Sequence, residues 1–409
     1  MNQSYNRLKY ACYTTNMTMS VVGNLSPLLF LTFRSMYGIS YSLLGLLVVI
    51  NFSTQLTVDL IFSFFSHKFN IAETVKITPV LGMIGLIVYG IWPYFLPNHI
   101  YMGLVIGTII FSASSGLAEV LISPVIAAIP AENPEREMSK LHSVYAWGVV
   151  GVVLFSTLFL FVCGKDNWQI LALIFALIPL CSTVLFRISA IPALETPEKV
   201  SGAIGMLKNK TLWLCVIAIF LGGASEVTMA QWCSGYLEQA LGIPKLWGDI
   251  FGVALFSVML GLGRSLYARN GKNIEKVLFT CITGSVVCYL VSAVTPVPIV
   301  GLIACALTGL CTSMLWPGCL VVASDRITVG GVFVYAFMAA GGDLGASVAP
   351  QLVGVVTDLV MASDKVISLT ASLNMTPEQL GMKCGMMIGM LFPLVGVPVY
   401  WKLWKKNRS

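Results

Sequence analysis

Long apolar runs alternate with short polar breaks from one end of this chain to the other. Each run holds roughly 18 or more residues, enough for a helix to cross about 30 Å of hydrocarbon. The alternation predicts twelve membrane-spanning helices, at 10–33, 42–66, 74–95, 101–129, 139–163, 168–189, 211–237, 247–269, 276–294, 297–323, 329–361 and 378–403. A long polar break holds Pro192, Glu195, Pro197 and Glu198. It divides the runs six and six, which predicts an N-terminal six-helix bundle over 1–189, a linker over 190–210 and a C-terminal bundle over 211–409. A second, shorter polar stretch lies at 363–379.

Two internal echoes support a duplication. Gly116-Leu117 with Pro124 is matched by Gly309-Leu310 with Pro317. The first and seventh spans end alike, in Tyr37-Gly38-Ile39-Ser40 and Leu241-Gly242-Ile243-Pro244. Parallel six-helix repeats place a solute site near the middle of the bilayer, between the halves.

Composition removes the soluble alternatives. The 409 residues are 57% apolar and 10% charged, against about 25% charged in a globular domain. The eleven cysteines fall almost entirely within apolar runs without a CxxC pair, so they read as small apolar fillers. Three histidines and no H-E-x-x-H pattern leave no metal centre and no cofactor to expect. The net charge of +6 sits at span ends rather than in a nucleic-acid patch. With the N-terminus inside, 19 basic residues fall on the inner side and 5 on the outer, of 24 in all. The positive-inside rule then places both termini in the cytoplasm of a multi-pass protein of the cell (inner or plasma) membrane.

Polar residues four apart share a helix face, and such stripes mark candidate cavity walls. Span 1 carries Asn16, Ser20 and Asn24; span 2 carries Asn51, Gln55, Asp59 and Ser63; span 4 carries Ser112, Ser115, Glu119 and Ser123. Span 10 offers Thr308, Thr312 and Trp316, and span 11 Tyr335, Asp343, Ser347 and Gln351. Spans 3, 6, 9 and 12 lack such stripes and are expected to face lipid. The bland reading of any one stripe is interhelical glue, at about 0.6 kcal/mol per bond.

Four carboxylates fall inside spans: Asp59, Glu119, Glu226 and Asp343. No Lys or Arg lies centrally in any span, so none has an evident cationic partner. A charge in hydrocarbon costs roughly 3 kcal/mol or more, so such acids usually face a water-filled path. Glu119, Glu226 and Asp343 are the expected proton carriers. Asp59 is expected to pair near the inner face with His67 or Lys68, and these join Arg264 and Arg269 as candidate gating residues. Span 7 adds Gln231 and Trp232. Trp232 suits either stacking on a sugar or an interfacial anchor, and lies about 120° around an ideal helix from Glu226. Trp316, just before Pro317, is the more central aromatic. His142 at the start of span 5 reads as a solvated loop-edge residue.

At these residues the chain resembles the major facilitator superfamily, and within it the fucose permease-like sugar:proton symporters. The likeness rests on Gly116, Leu117, Glu119 and Pro124 in span 4, and on Leu141, His142, Tyr145 and Gly148 in span 5. Gly223, Glu226, Trp232 and Tyr236-Leu237 carry it in span 7. A degenerate loop motif follows span 2 as Ser63, His67, Lys68 and Asn70, and its second copy resembles the turn from Gly261 to Lys272. Fucose permeases carry an aspartate in span 1, where this chain has Asn24-Leu-Ser followed by Pro27, which leaves Glu119 fewer companion acids. The resemblance implies the all-α major facilitator fold: twelve transmembrane helices in two pseudo-symmetric six-helix bundles.

The expected function is secondary active transport of a small polar solute, a sugar or sugar derivative, by alternating access and proton-coupled symport. Asn24, Asn51, Gln55, Ser115, Tyr145, Gln231, Trp232, Thr312, Trp316 and Gln351 are the expected solute-binding residues. The partners are the solute, protons or another cation, and the lipid bilayer, with the protein a monomer. A proton-driven exporter of amphipathic drugs is the main alternative; a membrane-embedded enzyme or a transport-dead receptor fits less well.

Overall fold

The computed structural model describes residues 2–65, 68–130, 134–192, 207–270, 273–327, 331–363, 366, 370 and 375–405. Among them there is no β-strand. The reason is the medium: in hydrocarbon every backbone N–H and C=O must be satisfied within its own segment, and a helix does this.

In the first half of the sequence the helices are α1 (Asn2–Tyr37), α2 (Tyr41–Phe65), α3 (Ile71–Phe95), α4 (Ile100–Ala127) and α5 (Pro134–Cys163). The sixth crossing, Lys165–Arg187, is divided into α6 (Trp168–Phe175) and α7 (Leu177–Arg187). In the second half come α8 (Lys210–Leu241), a π-turn over Gly248–Ala254 that leads into α9 (Leu255–Asn270), and α10 (Ile274–Val294). The tenth crossing is broken into α11 (Pro298–Thr312) and α12 (Leu315–Arg326), followed by α13 (Gly331–Met361) and α14 (Pro377–Lys405).

Eleven segments among the described residues are long and apolar enough to cross a membrane. The remaining crossing is α1, whose length suffices but whose polar stripes lower its hydropathy. Despite Gly222, Gly223 and Gly235 inside it, α8 runs unbroken from Lys210 to Leu241. Caps fix several ends: Asn70 accepts from the Glu73 N–H to start α3, and Asn209 accepts from the Thr211 N–H to start α8.

The chain forms two compact units. One comprises Met1–Thr32 with Ile50–Val200, the other Phe33–Val49 with Ser201–Ser409. The joined ends of α1 and α2 therefore belong to the second unit. Within that unit Asp358 accepts from the Tyr41 and Ser42 N–H groups at 3.2 and 2.6 Å, capping α2 from another helix. Glu378 accepts from Arg34 at 2.9 Å and from the Tyr41 hydroxyl, while Arg34 lies 4.1 Å over the Tyr41 ring.

The duplication is visible inside each unit. Gly38 and Gly242 both take φ +66°, the left-handed conformation that ends the first crossing of each half. Gly116 in the fourth crossing sits against the Gln55 backbone in the second, and Gly309 in the tenth against the Phe256 carbonyl in the eighth. Tyr89 in the third crossing bonds the Ser26 hydroxyl of the first at 2.8 Å. Its counterpart Tyr289 in the ninth donates to the Ser225 carbonyl of the seventh at 2.7 Å. Large apolar side chains are exposed on crossings three, six, nine and twelve, including Ile77, Val184, Val287 and Val395. The fifth and eighth expose them too, as at Phe161 and Val258.

Candidate functional site

The seam between α2 and α4 is built turn by turn. Ser112 donates to the Asn51 side-chain oxygen at 2.6 Å, and Gln55 donates to the same oxygen at 3.2 Å. One turn on, Gly116 lies so close to α2 that a Cβ there would stand 3.1 Å from the Gln55 Cα. Both contacts carry the same sequence offset, so α2 and α4 run parallel in register. The next step brings Asp59 level with Glu119 and Val120. The two acids interact electrostatically. Asp59 is buried, at 6% exposure, and its Oδ1 has no hydrogen-bond partner, whereas Glu119 is exposed. Beyond this level an apolar core of Phe62, Leu117, Leu121, Ile122 and Phe186 closes the unit.

The expected pairing of Asp59 with Lys68 is not found. Lys68 extends over the Phe65 ring at 5.1 Å, and His67 lies outside the described residues. A flexible ammonium just past a helix end gains more from an aromatic face and water than from a carboxylate buried nine residues back.

In the second unit a proline organises the charges. Pro317 has no N–H and its ring pushes against the carbonyl four residues earlier, so the tenth crossing breaks at Ser313 and Met314. The Ser313 carbonyl accepts from Arg264 Nε at 3.1 Å, and the same guanidinium reaches Glu226 Oε1 at 3.4 Å. Glu226 therefore has a cationic partner, against the expectation that it had none, while its Oε2 stays buried without one. Arg264 lies within the eighth crossing, Lys245–Tyr267, and its long side chain brings the charge back to the acid. Arg269 is exposed at the end of α9.

Trp232 is corrected more sharply. It is 1% exposed, donates its indole N–H to the Pro350 carbonyl at 2.9 Å and packs against the Tyr41 ring. Its ring is filled by protein contacts and is not open to a solute in this structure. The unbroken α8 keeps it on a different face from Glu226. Trp316, by contrast, is half-buried, with its ring edge over the bare backbones of Gly223 and Gly342. Thr312 is wholly buried and bonded back to the Thr308 carbonyl at 2.9 Å, so its hydroxyl serves its own helix.

The stripe on α1 is largely consumed by packing. Asn16 donates to the Leu141 carbonyl at 2.9 Å and Ser20 to the Tyr145 carbonyl at 2.9 Å, tying α1 to α5. Asn24 bonds the Ser20 carbonyl at 2.9 Å and remains half-buried, as does the Tyr145 side chain. Ser115, Gln231 and Asp343 are buried. Gln351 is half-buried with its Oε1 unpartnered, beside Gly45. The side chains of Ser63, Tyr335 and His142 lie outside the described residues.

Sequence reading missed several ion pairs near helix ends. Lys245 pairs with the fully buried Asp249 at 3.0 Å, and Arg326 with Glu275 at 3.1 Å. The buried Lys383 donates to the Ala293 and Thr295 carbonyls, closing the end of α10. Only the Lys245–Asp249 pair had a local signal, its four-residue spacing. No group of three His, Cys, Asp or Glu among the described residues is placed to hold a metal.

Sequence comparison places these crossings in a known superfamily. The profile of the Major Facilitator Superfamily matches residues 11–350. The chain belongs to that superfamily. A search of curated proteins found no match in sequence. Among solved structures, a bacterial homolog of the human lysosomal transporter Spinster, inward-facing and unoccupied, aligns with TM-score 0.74 at 12% identity, covering 98% of this chain and 97% of its own. The nucleoside transporter NupG aligns with TM-score 0.72 at 13% identity over 100% of both chains. The E. coli fucose:proton symporter FucP aligns with TM-score 0.59 at 15% identity, covering 96% and 99%. At these identities the likeness is one of fold. It shows the shared helical architecture and does not single out a fucose permease branch.

Proposed function

We propose that this protein is a secondary active transporter that carries a small polar solute, a sugar or sugar derivative, by alternating access and in symport with a proton. The observation that carries the reading is Glu119: an exposed carboxylate on an otherwise uncharged membrane helix, beside a seam of amide and hydroxyl groups. Such a group is expensive in lipid and marks an ion or solute path. Glu226 and Asp343 are the further proton-coupling candidates. Asn24, Asn51, Gln55, Ser115, Tyr145, Gln231, Trp316 and Gln351 supply hydrogen bonds and an aromatic face for the solute, with Arg264 and Arg269 in gating. The fucose:proton symporter among the structural relatives agrees with a sugar solute, as the nucleoside transporter agrees with a polar one.

In this reading the functional halves are 1–189 and 211–409, joined by a linker over 190–210. Both termini lie in the cytoplasm of a cell membrane protein that acts as a monomer. A proton entering with the membrane potential gains about 2.3 kcal/mol per 100 mV, which drives accumulation. The test is uptake into proteoliposomes under a pH gradient, with a panel of sugars and sugar acids. Glu119→Gln is expected to abolish accumulation while sparing counterflow exchange. Accumulation at the wild-type level would remove Glu119 from coupling.

A further inference from the structure

The corner of the second unit where α10 begins and α14 ends brings aromatic rings and lysines together. Phe279 on α10 lies against both tryptophans of α14. Its ring stacks on Trp404 at 5.4 Å and meets Trp401 at 5.2 Å, and the two indoles stand edge to face at 5.2 Å. Trp401 is 48% exposed, so the cluster opens outward rather than into the core. Lys276 stands one turn before Phe279 and Lys405 one turn after Trp401, so each shares a helix face with a ring. Lys402 follows Trp401 directly. All three lysines are exposed, and among the described residues no acid pairs with any of them.

Of the acids nearby, Glu275 is held by Arg326 at 3.1 Å, and Asp325 precedes that arginine on α12. Arg326 also donates to the Leu403 carbonyl at 2.9 Å. One guanidinium thus ties the first turn of α10 to the last turn of α14 and fixes the rings and lysines in place. A surface held in this way has less ordering cost to meet when it grips a ligand. Beyond the rings the same two helices expose apolar side chains, Val287 and Leu290 on α10 and Leu394 and Val395 on α14. A molecule that fits has an apolar tail for this face, a polar–apolar boundary level with the rings and an anionic head among the lysines. Rings alone settle at such a boundary whatever headgroup they meet; lysines without acid partners add a choice of charge.

We propose that this corner binds an anionic phospholipid. Its phosphate sits between Lys276, Lys402 and Lys405, its glycerol backbone at the Phe279–Trp401–Trp404 cluster and its acyl chains along α10 and α14. The sequence continues the positive charge past α14 with Lys406 and Arg408. In the topology proposed above this end is cytoplasmic, where the anionic leaflet attracts basic residues. A soluble phosphate would meet the lysines but gain nothing from the rings or the apolar face, which is why the occupant is a lipid. The site is independent of which solute the protein carries.

The experiment uses the full-length protein at one copy per nanodisc, so that no second chain can cover the corner. Tryptophan fluorescence is followed as phosphatidylglycerol with brominated acyl chains replaces unlabelled phosphatidylcholine, and again with brominated phosphatidylcholine in its place. Bromine quenches an indole only on close approach. Quenching is expected at a severalfold lower mole fraction of the phosphatidylglycerol, and this excess is expected to vanish in the double variant Trp401→Phe, Trp404→Phe. Lys405→Gln should raise the half-maximal mole fraction about fivefold. Replacing all three lysines by Gln should abolish the preference, while Lys210→Gln, exposed at the start of α8, should leave it unchanged. Equal quenching by the two brominated lipids overturns the proposal and leaves an ordinary aromatic belt. Excess quenching that survives the tryptophan or the lysine replacements overturns the placement, and an equal loss in Lys210→Gln reduces it to general surface charge. Complete displacement by soluble glycerol phosphate overturns the lipid in favour of a free anion.

Discussion

At the residue scale, the two candidate tryptophans part company because of what surrounds them. Trp232 uses its N–H on Pro350 and its ring on Tyr41, so it holds the bundle together. Trp316 rests on two glycine backbones and keeps part of its ring open. Trp232→Phe should therefore cost about 1 kcal/mol by leaving a buried carbonyl without its donor, seen as a lower thermal midpoint with an unchanged solute KM. Trp316→Phe should shift KM with little change in midpoint. The opposite pattern would reverse the assignment. The indole type was legible in the sequence, but its exposure was not, because the Pro350 carbonyl is 118 positions away.

At the element scale, the helices meet through glycines at matched positions of the two halves. A side chain at Gly309 would run into the Phe256 carbonyl, and one at Gly116 would crowd Gln55 and Val58. Backbone cannot retreat as a flexible side chain can, so overpacking here costs about 1–3 kcal/mol or more. Gly309→Val and Gly116→Val should each lower the thermal midpoint and the yield of monodisperse protein. Gly151→Ala, where nothing lies within 4 Å, should not. Equal behaviour of all three would show that these close approaches do not limit stability. The glycine–proline echo announced the repeat in the sequence. That each glycine packs the fourth crossing of its half onto the second is a property of the packed helices.

At the scale of the whole molecule, the charge distribution makes a topological statement. Basic residues cluster at alternate span ends, and the positive-inside rule makes the cytoplasm the side proposed for them. Cleavable tags placed before Met1 and after Ser409 should both be digested in inside-out vesicles and both be protected in right-side-out ones. Opposite fates for the two tags would mean that the crossings are odd in number. The same polar patterning explains why α1 was readable as a span although its hydropathy is low: its apolar residues still occupy continuous faces between stripes of Asn, Ser and Thr.

The sequence by itself determined the medium, the number and limits of the crossings, the glycine-ended first crossing of each half and the prolines that release helix carbonyls. These are local matters, fixed by hydropathy over about 20 residues and by the covalent geometry of glycine and proline. Only the tertiary structure decided which acids have partners. Arg264 reaches Glu226 across 38 positions, the Lys68 chain turns from Asp59 to an aromatic ring, and α2 and α4 lock in a register that sets Asp59 beside Glu119. A carboxylate's role in a membrane depends on the charge and water within a few ångströms, and helix packing chooses those neighbours. Glu119 could be picked out from its own helix alone; its companion Asp59 emerged only once two helices were laid side by side.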